Sequence, residues 1–326
     1  MAGTIHWAFP ADMRPKEDEL DFDLDPVLDA LVLLRTEIPE DAFTASILGT
    51  ERAGYGSVIR EDGLVLTIGY LITEASSVWL TTNRGAVVPG HPLAYDQTSG
   101  FGLVFPLGKL GVAPLERGSA ASAAAGDDVI VVGHGGRGHA LKANIVARRE
   151  FAGYWEYMLD TALFTAPPHP QWAGAALVDA EGKLIGVGSL LVQDRGSLGG
   201  QADQGNMFVP VDLLDPILED LLKLGRTAGA PRPWLGLYVG EVQGQLVVSG
   251  VAERGPAALA GVRAGDVVLE LAGERVSGAA DLFRKLWRLG PAGVQVPLTL
   301  SRNGAPVHVQ ARSIDRNDLL KKPLLQ

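Results

Sequence analysis

Residues of the types that reactive sites use fall into separate groups in this 326-residue chain. Gly133-His134-Gly135-Gly136-Arg137-Gly138 follows the apolar run DVIVV and fits the letters G-x-G-x-x-G of a dinucleotide-binding turn. Such a turn has to open a helix inside a βαβ unit, whereas the residues that follow, ALKANIVARRE, read as a strand, so no cofactor is expected. His134 and His139 could share a metal, but two ligands without a third make turn residues, and no metal site is expected. Six scattered histidines include no HExxH spacing, and cysteine is absent, which removes thiolate sites and any disulfide framework. Hydrolytic chemistry by acyl transfer would need a hydroxyl activated by an imidazole that a carboxylate orients. Asp96, Thr98, Ser99 and His169 are of the right types, provided that they meet within about 2.6 to 3.2 Å. Ser189 falls on a predicted strand and reads as a packing residue.

The elements that must position these groups follow from composition and pattern. Hydrophobic residues make up 47% of the chain, as in soluble globular proteins, and the length allows two domains. Acidic residues outnumber basic ones, 38 to 28, for a formal net charge of -10. That balance argues against a nucleic-acid partner, with only small basic patches such as Arg148 and Arg149. No stretch is apolar enough to span a bilayer, and the opening residues lack a basic segment followed by an apolar one, so a cytoplasmic location without membrane contact is expected.

Along the chain, residues 17–25 alternate acidic and apolar side chains, a pattern of segments that dock on partners or on their own domain; the plainer expectation is a solvated arm. Pro26 is expected to open a short helix carrying Leu28, Leu31, Val32 and Leu34. From about residue 43 to residue 210 the text turns to short β-rich runs with Asp-Gly and Glu-Gly turns, which predicts an all-β sandwich or barrel. A helix is predicted over Val211–Leu224, followed by the linker TAGAPRPW. The last segment reads as a compact β-α-β-α-β-β unit. Its second helix runs from Ser277 to Leu289, with Ser277 as N-cap, Gly290 as stop, and Leu282, Phe283, Leu286 and Leu289 on one face. The expected divisions are an acidic arm and helix (1–42), a β domain (43–224), a linker (225–233), a second domain (234–312) and a tail (313–326).

The segment GVAERGPAALAGVRAGDVVLELAGERVSGAADLFRKLW is similar, nearly position for position, to the PDZ domains of HtrA/DegP proteases. Just before it, Trp234-Leu235-Gly236-Leu237 resembles that family's carboxylate-binding loop, where main-chain amides around a glycine receive a chain-terminal carboxylate. The resemblance implies a ligand added as a strand, with the helix bearing Leu282 and Leu286 walling the groove; the alternative is that both leucines are core. Upstream, GYGSVIREDGLVLTIGYLI, YDQTSGFGLVF and HPQWAGAALVDAEGKLIGV resemble the stretches that carry the family's catalytic His, Asp and Ser. In this chain those positions hold Tyr70, Gly100 and Ala173. Gln171 and Trp172 alter the expected oxyanion region.

The resemblance implies a mainly β protein, a trypsin-like double six-stranded β-barrel followed by an α+β PDZ domain. A phenol, a bare backbone and a methyl group do not relay a proton, so the expectation at this stage is that the chain is not an enzyme. It is read as a pseudoprotease that binds client polypeptides or protein C-termini as scaffold, chaperone or assembly factor. The alternatives are a regulatory subunit of an active HtrA or other enzyme complex, and a serine endopeptidase with a site rearranged around His169, Ser99, Thr98 and Asp96. The resemblance further implies trimers through N-terminal aromatic residues, with Trp7, Phe9 and Phe43 as candidates, although core or arm roles suit each as well. The C-terminal KKPLLQ is a possible occupant of a neighbouring subunit's PDZ groove.

Overall fold

A computed structural model describes residues 7–193 and 204–322. Strands β1 (Leu31–Glu37), β2 (Glu51–Val58), β3 (Val65–Ile68), β4 (Ser77–Thr82), β5 (Val87–Tyr95) and β6 (Phe101–Pro106) close into a barrel in the order β1-β2-β3-β6-β5-β4. A second barrel is built from β7 (Asp128–Val132), β8 (Ala140–Ala152), β9 (Met158–Ala166), β10 (Ala176–Val178), β11 (Leu184–Gln193) and β12 (Gln204–Pro210), in the order β10-β11-β12-β9-β8-β7. Closure pairs every strand on both sides, which suits short apolar runs with no solvated edge. Leu31, Leu34, Leu66, Leu80 and Leu103 on the first barrel's strands, and Val131, Leu141, Leu163, Leu177 and Phe208 on the second's, are fully buried.

The first strand corrects the expected helix. The helix is Leu24–Asp29, capped by Asp23, whose side chain accepts from Asp25 N at 3.0 Å, and Leu31, Val32 and Leu34 belong to β1. A short apolar run does not separate helix from strand by period; here β1 is claimed by ladders to both β2 and β4. The barrel therefore starts at Leu31, earlier than the expected boundary at 43. The predicted helix over Val211–Leu224 is also broken, into a 3-10 turn at Val211–Leu213 and a helix at Leu218–Leu224. Pro216 falls between them and lacks the amide that a continuous helix would use.

The acidic segment lies against its own domain with its carboxylates still exposed. Arg137 pairs with Glu17 at 3.0 Å and with Asp25 at 2.8 Å, and Lys142 pairs with Glu19 at 2.9 Å. The Phe22 ring lies so close over Gly182 that a Cβ there would come within 2.6 Å of it. Phe9 is buried in the second barrel's core, and Trp7 packs against it at 5.1 Å. Phe43 donates its amide to Glu74 at 3.0 Å, and Lys321 N donates to the same carboxylate at 2.9 Å. Residues 323–326 of KKPLLQ lie outside the described residues. No described helix is long and apolar enough to cross a membrane.

A second compact unit comprises Glu150–Asp160 and Ala228–Leu320. Its sheet runs β13 (Leu237–Val242), β14 (Gln245–Val251), β15 (Val267–Leu271), β17 (Gln295–Arg302), β18 (Ala305–Arg312), with β16 (Glu274–Arg275) on β15. Helix Ala279–Arg288 covers it with Leu282, Phe283 and Leu286, all fully buried as the spacing predicts. Ser277 is not the N-cap. Gly278 takes that position, and Asp281 reaches back to accept from Ser277 N at 2.9 Å, so the capping bond runs in reverse. Asp266, nearly without exposure, is held by Arg302 through two contacts of 2.7 Å.

Candidate functional site

In the protease-like unit, the turn Gly69–Leu71 after β3 carries Tyr70. Its hydroxyl donates to the Ser189 carbonyl at 2.9 Å, and its own carbonyl accepts from Arg52 at 2.6 Å. Burial pushes the phenol well above its ordinary pKa, against the opposing pull of a hydrogen bond from the Trp172 side chain. Gly100 closes the turn before β6 with φ +84°, donating to the Asp96 carbonyl at 2.8 Å and accepting from Gly69 N at 2.7 Å. The carboxylate of Asp96 accepts from both the amide and the hydroxyl of Ser99 at 2.7 Å, while Thr98 is exposed.

Ala173 presents its carbonyl to Tyr55 N at 2.8 Å. The next residue must be glycine, because φ is +74° and a Cβ on Gly174 would sit 1.9 Å from the Tyr55 carbonyl oxygen. A cavity of about 250 Å³ opens here, lined by Leu33, Gly54, Tyr55, Gln171, Trp172 and Ala173 among others. The Tyr55 hydroxyl donates to the Gln171 side-chain oxygen, and burial pushes that phenol up to about 12.

His169 is fully buried, and both ring nitrogens are engaged: Nε2 at 3.0 Å from the His139 carbonyl, and Nδ1 accepting from Gln171 N at 3.1 Å. Burial lowers its pKa, which favours the neutral ring that this pattern requires. Trp7 and Phe9 make T-shaped contacts with it at 5.9 and 5.1 Å, so the ring works as a polar bracket in the core. The hydrogen bonds do not bring His169 to Ser99 or Asp96. They also hold the Gln171 amide on the imidazole, whereas an oxyanion site would need that donor directed into the cleft. Ser189 lies buried on β11, as its strand pattern predicts. The Gly133–Gly138 stretch leads through a short 3-10 turn, Gly136–His139, into β8, with His134 Nε2 placed 3.2 Å from the Thr82 carbonyl.

The PDZ-like unit holds a second, more complete arrangement. Trp234, Leu235 and Leu237 are buried, and Gly236 between them has φ +77°. A Cβ on Gly236 would meet Ala252 Cβ and the Trp234 ring at 2.9 Å, so glycine is required by the protein's own packing and backbone, and not simply by the approach of a ligand. The loop's amides point at a carboxylate. Leu237 N donates to Glu156 at 2.7 Å, and Leu235 N donates to the two oxygens of the same group at 3.2 and 3.0 Å. Burial pushes the Glu156 carboxyl up to about 7, opposed by these amides, that of Gly236 and the charge of Arg316. Leu282 and Leu286 are fully buried in the domain core. Glu156 escaped the sequence reading, because an acid in the turn Tyr154-Trp155-Glu156-Tyr157 looks like any solvated loop residue.

A trypsin-like peptidase domain model matches residues 54–187, and a PDZ domain model matches residues 233–312. Protease Do-like 1, chloroplastic, of Arabidopsis thaliana is 27% identical over 276 residues, covering 76% of this chain and 61% of that protein. A probable periplasmic serine endoprotease DegP-like of Bartonella henselae is 24% identical over 272 residues, covering 79% of this chain and 52% of that protein. The chain thus spans about half to three fifths of the length of these curated relatives. Among solved structures, the HtrA-type protease AlgW with decapeptide aligns with a TM-score of 0.51 at 21% identity, covering 92% of this chain and 98% of that one. The serine endoprotease from Yersinia pestis aligns with a TM-score of 0.53 at 19% identity, covering 91% and 99%, a likeness of fold. The relatives overturn the expectation that the chain is not an enzyme: one is named a protease and the DegP-like proteins are named probable serine endoproteases. In its trypsin-like double barrel, the PDZ domain that follows it, and its match over three quarters of its length to DegP-like proteins, the chain is similar to the HtrA/DegP proteases.

Proposed function

We propose that this chain handles polypeptides in the manner of HtrA proteins, taking an extended segment with a free carboxylate at the Leu235–Leu237 amides of its PDZ unit. The observation that carries the reading is the pair of main-chain donors at Leu235 and Leu237, converging on one carboxylate within 3.2 Å. Such donors cost nothing to orient at the moment of binding, because Gly236 and the buried Trp234 hold them in place. The outer edge of the strand that follows the loop then supplies ladder hydrogen bonds to the rest of the ligand, through donors such as Val239 N. An array of C-terminal decapeptides, each presented as free acid and as carboxamide, tests this. The 326-residue chain is expected to retain free acids selectively; equal retention of amides would remove the carboxylate from the reading.

For the double barrel, peptide-bond hydrolysis is the reading that the relatives' names support. The side chains of Tyr70, Gly100 and Ala173 do not supply hydroxyl, imidazole and carboxylate, so we place the nucleophile elsewhere in the chain. Incubation with unfolded casein, alongside a serine-directed phosphonate and mass mapping of the labelled residue, is the direct measurement. Turnover with a label on one hydroxyl identifies the working site. Casein left intact, with no label after prolonged incubation, would sink the hydrolytic reading.

A further inference from the structure

The carboxylate that fills the PDZ loop is part of the chain itself. Residues 150–160, the tip of the β8–β9 hairpin, belong to the same compact unit as the loop that they enter. Glu156 sits on the Leu235 and Leu237 amides, and two residues earlier the Tyr154 carbonyl accepts from Val239 N at 2.9 Å. Stepping back two residues from Glu156 to Tyr154 corresponds to stepping forward two residues from Leu237 to Val239. That is the register of an antiparallel strand added to β13, with a carboxylate at its end.

Other contacts hold the tip in this pose. Gly153 N donates to the Tyr157 carbonyl at 2.8 Å and closes the turn, and Glu156 adopts φ +55°, a conformation uncommon for a residue with a Cβ. The Tyr154 ring lies 6.2 Å from that of Tyr238 on β13. Met158 is buried in the core of the PDZ-like unit, and Arg284 pairs with Glu150 at the base of the tip. A solvated hairpin would need none of these.

We propose that the hairpin tip is an internal pseudo-ligand, with Glu156 standing in for a chain-terminal carboxylate and Tyr154 for the strand behind it, so that an external peptide binds only by displacing the tip. The proposal rests on the reading of the 234–237 loop as a peptide-carboxylate site. Its consequence is competition. External affinity is reduced by the fraction of molecules in which the loop is already filled, and removing the internal carboxylate restores it.

The test compares the 326-residue chain with its Glu156→Ala and Glu156→Gln variants, each first shown by thermal melting to be folded. The probe is a fluorescent decapeptide ending in leucine with a free carboxylate, together with its carboxamide, and amide hydrogen exchange at Leu235, Leu237 and Val239 is measured in parallel. Glu156→Ala is expected to bind the free acid at least about tenfold more tightly than the parent, with Glu156→Gln between them and no gain for the carboxamide. The parent's Leu235 and Leu237 amides are expected to exchange slowly, and those of the alanine variant quickly. Equal binding of the free acid by parent and variant overturns the competition while leaving the peptide site standing. If no protein binds the probe, exchange decides: protection lost on Glu156→Ala sustains the internal ligand and counts against the peptide reading, whereas fast exchange in the parent overturns the internal ligand.

Discussion

The Tyr70 hydroxyl and the Ser189 carbonyl, 2.9 Å apart, join the turn that ends β3 in the first barrel to β11 in the second. The ladder of β11 with β12 shifts register between Gly188 and Leu190, which leaves the Ser189 main chain out of step with its neighbour strand. The phenol at the position where the family resemblance places a histidine thus meets the hydrogen-bonding need of a bulge.

Tyr70→Phe should therefore destabilise the protease-like unit by about 1–3 kcal/mol, the range for a buried polar group left without its partner. Urea unfolding followed by fluorescence gives the midpoint. A midpoint equal to the parent's would mean that solvent or another donor already serves the Ser189 carbonyl.

Introducing Tyr70→His, Gly100→Asp and Ala173→Ser together should not yield a phosphonate-reactive serine at position 173. The Gln171 amide remains on His169 Nδ1 at 3.1 Å, and an aspartate at Gly100 must adopt φ near +84°. Mass spectrometry of the labelled triple variant checks this; stoichiometric modification of the new serine would refute the account of the Gln171 amide.

Gly174→Ala is expected to prevent folding of the protease-like unit or to shift its melting point sharply downward. The added methyl would lie 1.9 Å from the Tyr55 carbonyl oxygen, in a backbone conformation that residues with a Cβ avoid. Recovery of soluble protein with an unchanged melting transition is the contrary result.

Asp266 and Arg302 make a pH-dependent contribution to the PDZ-like unit. The Arg302 hydrogen bonds hold the Asp266 carboxyl below its ordinary value of 3.8 despite burial. Its stabilisation is therefore present above pH 3.8 and declines as pH falls through the lower folded value. Asp266→Asn should lower the melting temperature near neutrality, by removing the partner of Arg302, and the difference from the parent should narrow in acid. Melting curves of the two proteins from pH 3 to pH 7 would falsify this if they ran parallel throughout.

Glu156 has the opposite sign. Its carboxyl is raised from 4.5 to about 7 by burial, so docking of the hairpin tip is strongest below pH 4.5 and weakens as pH rises through 7. The groups facing it are Arg316, whose charge opposes the rise, and the Tyr154 and Tyr238 phenols; Tyr238 is itself raised by burial. A peptide's terminal carboxyl is ionised throughout this window. Free-acid peptides should therefore bind more tightly at pH 8 than at pH 5 to the parent, and with little pH dependence to Glu156→Gln; matching pH profiles would set the Glu156 titration aside.

Much of the architecture is legible in the residues. Short β runs with Asp-Gly turns predict an all-β sandwich or barrel, of which the structure has barrels, and the spacing of Leu282, Phe283 and Leu286 predicts the buried face that helix Ala279–Arg288 presents. The amides around Gly236 could be named because Trp234-Leu235-Gly236-Leu237 resembles the carboxylate-binding loop of HtrA/DegP proteases. Leu31, Val32 and Leu34 read as helix yet stand in β1, since a short apolar run has no period of its own and only pairing with β2 and β4 assigns it.

What sequence alone determined is which side chains stand at each position, and hence that Tyr70, Gly100 and Ala173 bring a phenol, a bare backbone and a methyl group. Only the tertiary structure decided what meets what: the Gln171 amide on His169, the acidic segment on Arg137 and Lys142, and Glu156 on Leu235 and Leu237. The physical reason is that these partners are held together by hydrogen bonds across gaps of up to 123 residues, and such bonds leave no periodic trace in the chain.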